Sequence, residues 1–338
     1  MTRPLAVMFL GAGFSKGFGL PLTSELWDLG FIKHKEADRR LPWEPVEKSP
    51  TLKACVDSGV KNVEVLFERW LQEIDEKWGI DNFNECGQAG YTYYITNLCM
   101  HLETMSHALK TKHKKLYDSL TLAIHRGRIW QDLAFVTTNY DLCIEILLRK
   151  GTQDTEFSYT KLTNDVIPIR KLHGSINWTA VMPASKMERH EYIGKVKQSY
   201  LYQDNYKVYD IKLGKVNWST GIIPPVIIPP EPQKTYREIF ERQQQEAGQL
   251  LKRAKRVLFV GYSFPNADTL LSGWLKETMK DSKAEVTVVN PDAGVLEKAK
   301  AVFKGNTLLV KQSMWDLSHF EDVLEAERRT SGISMLRK

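Results

Sequence analysis

Short apolar runs punctuate the chain, and each is followed by small or polar residues. Leu5–Leu10 (LAVMFL) is unbroken and ends at Gly11. Such a run fits a strand buried on both faces, as in a parallel sheet. The same pattern predicts strands over Leu133–Thr137, Val166–Leu172, Val226–Ile228, Val257–Val260 and Val286–Val289, with a seventh over Thr307–Val310 nearer an edge. The third run is unusual in carrying Arg170 and Lys171 inside it, and the fourth is framed by Pro224-Pro225 and Pro229-Pro230.

Between the first two strands the period changes. Asn62–Lys77 repeats Val63, Leu66, Phe67, Trp70, Leu71 and Ile74 at helical spacing, and Tyr91–Leu109 continues in the same style. Residues 31–129 therefore read as a helical module inserted after the first strand–helix unit. Thr179–Gly221 is rich in Tyr, Lys and Gln and weakly periodic, which suits a small insertion of loops and short strands. A helix near Phe320–Arg329 leads into a tail, 317–338. Alternating strands and helices predict an α/β fold, a Rossmann-like parallel sheet with helices on both faces, built from 1–30 and 130–316. Ligands of such sheets bind beyond the carboxyl ends of the strands, near the point where strand order reverses. The residues just after each strand are thus the candidates for chemistry.

Composition changes this picture little. The 338 residues are 42% hydrophobic and 26% charged, ordinary for a soluble globular protein. No apolar run reaches about 18 residues, so no membrane span is expected. The start, Met1-Thr2-Arg3-Pro4, lacks the features of a signal peptide. Cys55, Cys86, Cys99 and Cys143 form no C-x-x-C pair, which argues against a zinc ribbon and fits ordinary thiols of a reducing, cytoplasmic compartment. The formal charge of +6 is partly the run from Lys110 to Lys115. A solvated helix face explains it; an anionic partner is the sharper alternative. Without interleaved aromatics, nucleic acid is not expected as a direct ligand.

Five strand ends carry candidate groups. Gly11-Ala12-Gly13-Phe14-Ser15 follows the first run, and it reads either as a phosphate loop at a helix start or as a simple tight turn. No acidic residue closes a second strand soon after, which counts against an ordinary nicotinamide dehydrogenase. Thr137-Thr138-Asn139-Tyr140-Asp141 follows the second; Asn139 can orient a water or a ribose hydroxyl, or the cluster can cap a helix. His173, in Leu172-His173-Gly174-Ser175, is a proton carrier or a structural histidine, and it is the one histidine at a strand end. Gly261-Tyr262-Ser263 and Asn290-Pro291-Asp292 follow the later runs; Asn290 and Asp292 either bond a ribose or form an Asn-Pro turn.

Taken in order, strand–GAGxS, strand–T-x-N-x-D, LHG, G-x-S and strand–Asn resemble the sirtuin family over the sheet-forming half of the chain. The resemblance implies that Gly11, Ala12, Gly13 and Ser15 hold the pyrophosphate of NAD. It implies that Asn139 and Asp141 lie by the nicotinamide and its ribose; Thr138, between them and the second run, is a further cofactor-binding candidate. The resemblance makes His173 the base, and it gives the adenosine half to Gly261, Ser263 and Asn290, with Asp292 remaining the ribose candidate or turn residue read above.

The chain also departs from sirtuin deacetylases. They carry two C-x-x-C pairs on a zinc module after LHG, whereas Thr179–Gly221 has no cysteine, so no zinc is expected. The segment after GAGxS differs, and the acetyl-lysine clamp is replaced by Ile227-Ile228-Pro229-Pro230-Glu231. In these respects the sequence resembles the bacterial sirtuin-like effectors that act against phage by depleting NAD. That branch implies an NAD glycohydrolase, self-assembly into a homo-oligomer, and a separate partner such as a helicase-like ATPase. A zinc-free protein deacylase and a non-catalytic NAD- or ADP-ribose-binding module are the competing classes.

Overall fold

The computed structural model describes residues 6–31, 65, 87–112, 133–151, 156–159, 162, 166–180, 206–208, 225–228, 239–265, 269–303 and 308–311. The expected helix over 62–77 except residue 65, most of 179–221, Cys55, Cys86 and the tail from 317 lie outside them.

The strands are β1 (Ala6–Leu10), β2 (Leu133–Thr137), β3 (Glu156–Ser158), β4 (Val166–Lys171), β5 (Gly174–Ala180), β6 (Tyr206–Val208), β7 (Pro225–Ile227), β8 (Arg256–Val260), β9 (Glu285–Val289) and β10 (Leu308–Lys311). Helices are α1 (Ala12–Lys16), α2 (Leu26–Phe31), α3 (Gly87–Lys112), α4 (Cys143–Gly151), α5 (Ile239–Arg253), α6 (Thr269–Met279) and α7 (Ala293–Val302). A 7-stranded sheet runs β10-β9-β8-β1-β2-β4-β3, and every pairing in it is parallel. The chain is an α/β fold of the Rossmann-like kind, with β1 at the centre and β10 on an edge.

Strand periodicity sorts the core into two layers. Val7 and Phe9, Ala134 and Val136, Val257 and Phe259, and Val286 and Val288 share one buried cluster with Leu251 of α5, Leu275 of α6 and Ala299 of α7. Met8, Leu10 and Phe135 point to the other face and are equally shut from water. Both faces are thus covered, which is why β1, β2 and β8 read as unbroken apolar runs.

One expectation needs correction. Val226–Ile228 does not extend the parallel sheet. Its strand, β7, pairs antiparallel with β5 in a second sheet of order β6-β5-β7. The reason lies at Gly174, whose φ of 80° is open to glycine and strained for other residues. There the chain turns directly out of β4 into β5, leaving Leu172 and His173 as the whole connection between these two strands.

Strand register sets the functional edge. Val289, Val260, Leu10, Thr137 and Lys171 are aligned across five neighbouring strands. The ladder continues one residue further. The amides of Gly261, Gly11, Thr138 and Leu172 donate to the carbonyls of Val289 (2.9 Å), Val260 (3.0 Å), Leu10 (3.3 Å) and Thr137 (2.8 Å). From β1 the chain proceeds to β2 on one side and later fills β8 on the other, so strand order reverses at the carboxyl ends of β1 and β8.

Candidate functional site

At the reversal point two glycine turns pack against each other. The amides of Gly11 and Gly13 donate to the carbonyls of Val260 and Gly261, both at 3.0 Å. A Cβ on Gly11 would meet the carbonyl oxygen of Gly261 at 2.5 Å, and one on Gly261 would meet the amide nitrogen of Phe14 at 2.1 Å. Gly261 also holds a φ of 64°. Backbone crowding between β1 and β8 therefore requires both glycines before any ligand is considered. The amides of Gly11 and Gly13 are thereby committed to carbonyl partners.

The T-x-N-x-D turn is fastened onto this loop. The hydroxyl of Thr137 donates to the Leu10 carbonyl (2.9 Å) and accepts the Asn139 amide (3.0 Å). Asn139 Nδ2 then donates to the Gly11 carbonyl (2.9 Å) and to Ser15 Oγ (3.0 Å). Both amide protons are held by the protein, so Oδ1 is the atom of Asn139 left to accept from a ligand.

Ser15 also hydrogen-bonds Asp141, whose Oδ1 accepts the Cys143 amide at 2.9 Å. Burial pushes the Asp141 carboxyl above its ordinary range, against the opposing pull of the Lys171 charge, the Cys143 amide and Ser15. Burial likewise raises the Cys143 thiol well above its usual value, which makes it an inert thiol here.

His173 is nearly buried at the turn between the sheets. Its carbonyl accepts the Ile228 amide at 2.9 Å, and the Ile228 carbonyl accepts the hydroxyl of Tyr140. The rings of Tyr140 and His173 lie 6.4 Å apart. The turn that carries Asn139 and the turn that carries His173 are thus clasped by one residue following β7.

The remaining candidates divide. Thr138 is half-buried and tied to β1, Ser263 is exposed, and Ala12 opens α1. Asn290 accepts the Asp292 amide (3.0 Å) and donates to the Tyr262 carbonyl (3.1 Å). Asp292 caps α7 by accepting the Gly294 amide at 2.8 Å. The turn reading accounts for these polar atoms, and a ribose would have to compete with the bonds they make.

Sequence reasoning passed over a buried polar network behind the site. Lys171 and Arg170 are both fully buried; Lys171 Nζ donates to Glu145 at 2.9 Å, and Arg170 Nε forms an ion pair with Glu246 at 2.7 Å. Their signal was visible as two cations inside an apolar strand run.

Among the described residues no group of three His, Cys, Asp or Glu side chains could hold a metal ion, and no helix is long and apolar enough to cross a membrane. No curated protein matches the sequence. The profile of the SIR2-like domain matches residues 133–307, just over half of the chain. That span holds T-x-N-x-D, LHG, the β8 turn and Asn290, while the glycine loop at 11–15 lies outside it and is joined to it by the Asn139 bonds. With β1 at the centre of its parallel sheet, the chain belongs to the SIR2-like domain family.

Proposed function

We propose that this chain hydrolyses NAD to nicotinamide and ADP-ribose. The observation that carries the reading is the grip of Asn139 on both Gly11 and Ser15, which joins two distant motifs into one site at the strand-order reversal. SIR2-like domains commonly use NAD, and the carboxyl edge of a Rossmann-like sheet suits a dinucleotide.

In this proposal the C1′–N bond to nicotinamide breaks, and its electron pair neutralises the pyridinium nitrogen. No general acid is needed, because the leaving group begins positively charged. A cationic ribose carbon develops, as in glycoside hydrolysis. Asn139 Oδ1 accepts from the attacking water and orients it. The water oxygen bonds C1′ and its proton passes to the His173 imidazole. Asp141, when ionised, stabilises the developing positive charge. Gly11, Ala12, Gly13 and Ser15 line the phosphate side, with Thr138 by the nicotinamide ribose; Gly261, Ser263, Asn290 and Asp292 flank the adenosine side.

Water is the proposed nucleophile because the stretch 179–221 carries no cysteine for a zinc module and the chain lacks an acetyl-lysine clamp. We extend the reading to a cytoplasmic anti-phage effector that depletes NAD, gated by self-assembly or a partner ATPase. Residues 31–129 would then form a helical module beside the catalytic domain.

The test is a mass spectrum of NAD incubated with the protein across concentrations. ADP-ribose with free nicotinamide is expected. Acetyl-ADP-ribose in the presence of an acetylated peptide would move the protein to the deacylases, and intact NAD would make it a binding module. His173→Ala and Asn139→Ala should each slow nicotinamide release by about 10²–10⁴-fold. Wild-type rates in both variants would remove the assigned roles.

A further inference from the structure

Behind the Asn139–Asp141 turn lies a buried ammonium group. Lys171 Nζ donates to the Asp141 carbonyl (2.5 Å), to Glu145 Oε1 (2.9 Å) and, more loosely, to the Tyr140 carbonyl (3.5 Å). Three donors meet three acceptors, and neither side chain of the Lys171–Glu145 pair is exposed at all.

The pair sits in a chain of buried bonds. The Tyr159 hydroxyl donates to Glu145 Oε1 (3.0 Å), Asn177 Nδ2 donates to that hydroxyl (3.2 Å), and Ser175 Oγ donates to Asn177 Oδ1 (2.6 Å). Lys171, Ser175 and Asn177 bracket His173 in the sequence, and their side chains fix the strands on either side of it. Desolvating a cation and a carboxylate is costly, and apolar replacements often serve stability as well. The ions therefore invite an explanation beyond stability.

We propose that Lys171, balanced by Glu145, is a positioning residue that holds the Asn139–Asp141 turn, and with it the Asp141 carboxylate, beside the reacting ribose. The inference rests on the NAD-cleavage reading. The groups acting on Asp141 among the described residues are Lys171 from β4, Cys143 and Glu145 from α4, and Ser15 from α1. Lys171 favours the ionised carboxylate, and Glu145, also buried, opposes it.

The experiment pairs Lys171→Met/Glu145→Leu, which removes both charges without leaving one buried alone, with Glu145→Gln, which keeps the ammonium. Two readouts are taken: the pH dependence of kcat for NAD cleavage, and the Asp141 carboxyl titration followed by NMR on protein labelled at Asp. In the double variant kcat should fall on the order of 10²-fold, the loss typical of a displaced reacting group. Its acid limb and the Asp141 titration should both move to higher pH. In Glu145→Gln the titration should move to lower pH. A purely structural pair predicts no such opposed shifts. Wild-type kcat and an unmoved titration in the double variant would overturn the proposal, as would shifts of the same sign in both. If wild-type protein releases no nicotinamide yet the titrations move in opposite directions, the NAD reading fails and the tether stands.

Discussion

Asp141 combines a bonded carboxylate with a net cost of burial. For an acid whose pKa is raised on folding, the folded state holds its proton more tightly than the unfolded chain does. Stability is then unaffected below the ordinary value of 3.8 and is lost as pH rises through the elevated folded value. Asp141→Asn keeps an oxygen acceptor for the Cys143 amide and removes the charge. It should raise the melting temperature at pH 7, with the gain vanishing below the ordinary carboxylate range, while slowing nicotinamide release. A gain that persists unchanged at low pH would show that burial of charge is not the cause. Gly261 sets a second limit at this scale. Gly261→Ala must place a Cβ 2.1 Å from the Phe14 amide nitrogen at a positive φ. Urea unfolding should show a loss of more than about 2 kcal/mol. Individual residues were legible where the backbone alone decides, as with the glycines after β1 and β8. Lys171 showed only as a cation inside an apolar run, and its network with Glu145 and Asn177 did not show, because such a network depends on partners brought together from distant parts of the chain.

Elements buried on both faces announced themselves: β1, β2, β4, β8 and β9 fall on the continuous apolar runs within a residue or so at each end. The three-residue strands β3 and β6 offer too few positions for any period to show. β5 escaped for another reason. Its Ser175 and Asn177 are polar yet buried, their side chains satisfied by each other and by Tyr159, so the alternation of Gly174–Ala180 does not report which face meets water. The run at Val226–Ile228 had the right composition, but the reversal at Gly174 decided which sheet received it. Helix α7 shows a local device at work. Its Asp292 cap engages the Gly294 amide, so Asp292→Ala should cost about 1 kcal/mol of stability, read as a lower thermal midpoint. No loss would mean that the cap is replaced by solvent.

At the scale of the whole molecule, the segment that carries the family resemblance lacks the strand that centres the sheet. β1 pairs in register with β2 through Ala6 and Leu133, and with β8 through Ala6 and Arg256. An isolated fragment of residues 133–307 would keep β2 and β8 but leave both inner edges open. It should show no cooperative thermal transition by circular dichroism, and a sharp transition would contradict the central role given to β1. The same arrangement governs how the protein is made. β1 leaves the ribosome before either neighbour, meets one only when residue 133 has been translated, and meets the other after residue 256. Pairings so remote in sequence fold slowly and leave apolar edges open to aggregation in the meantime. The nascent chain thus carries a sticky ribbon until β8 emerges, and its yield should depend on chaperone supply and on growth temperature more than its final stability would suggest.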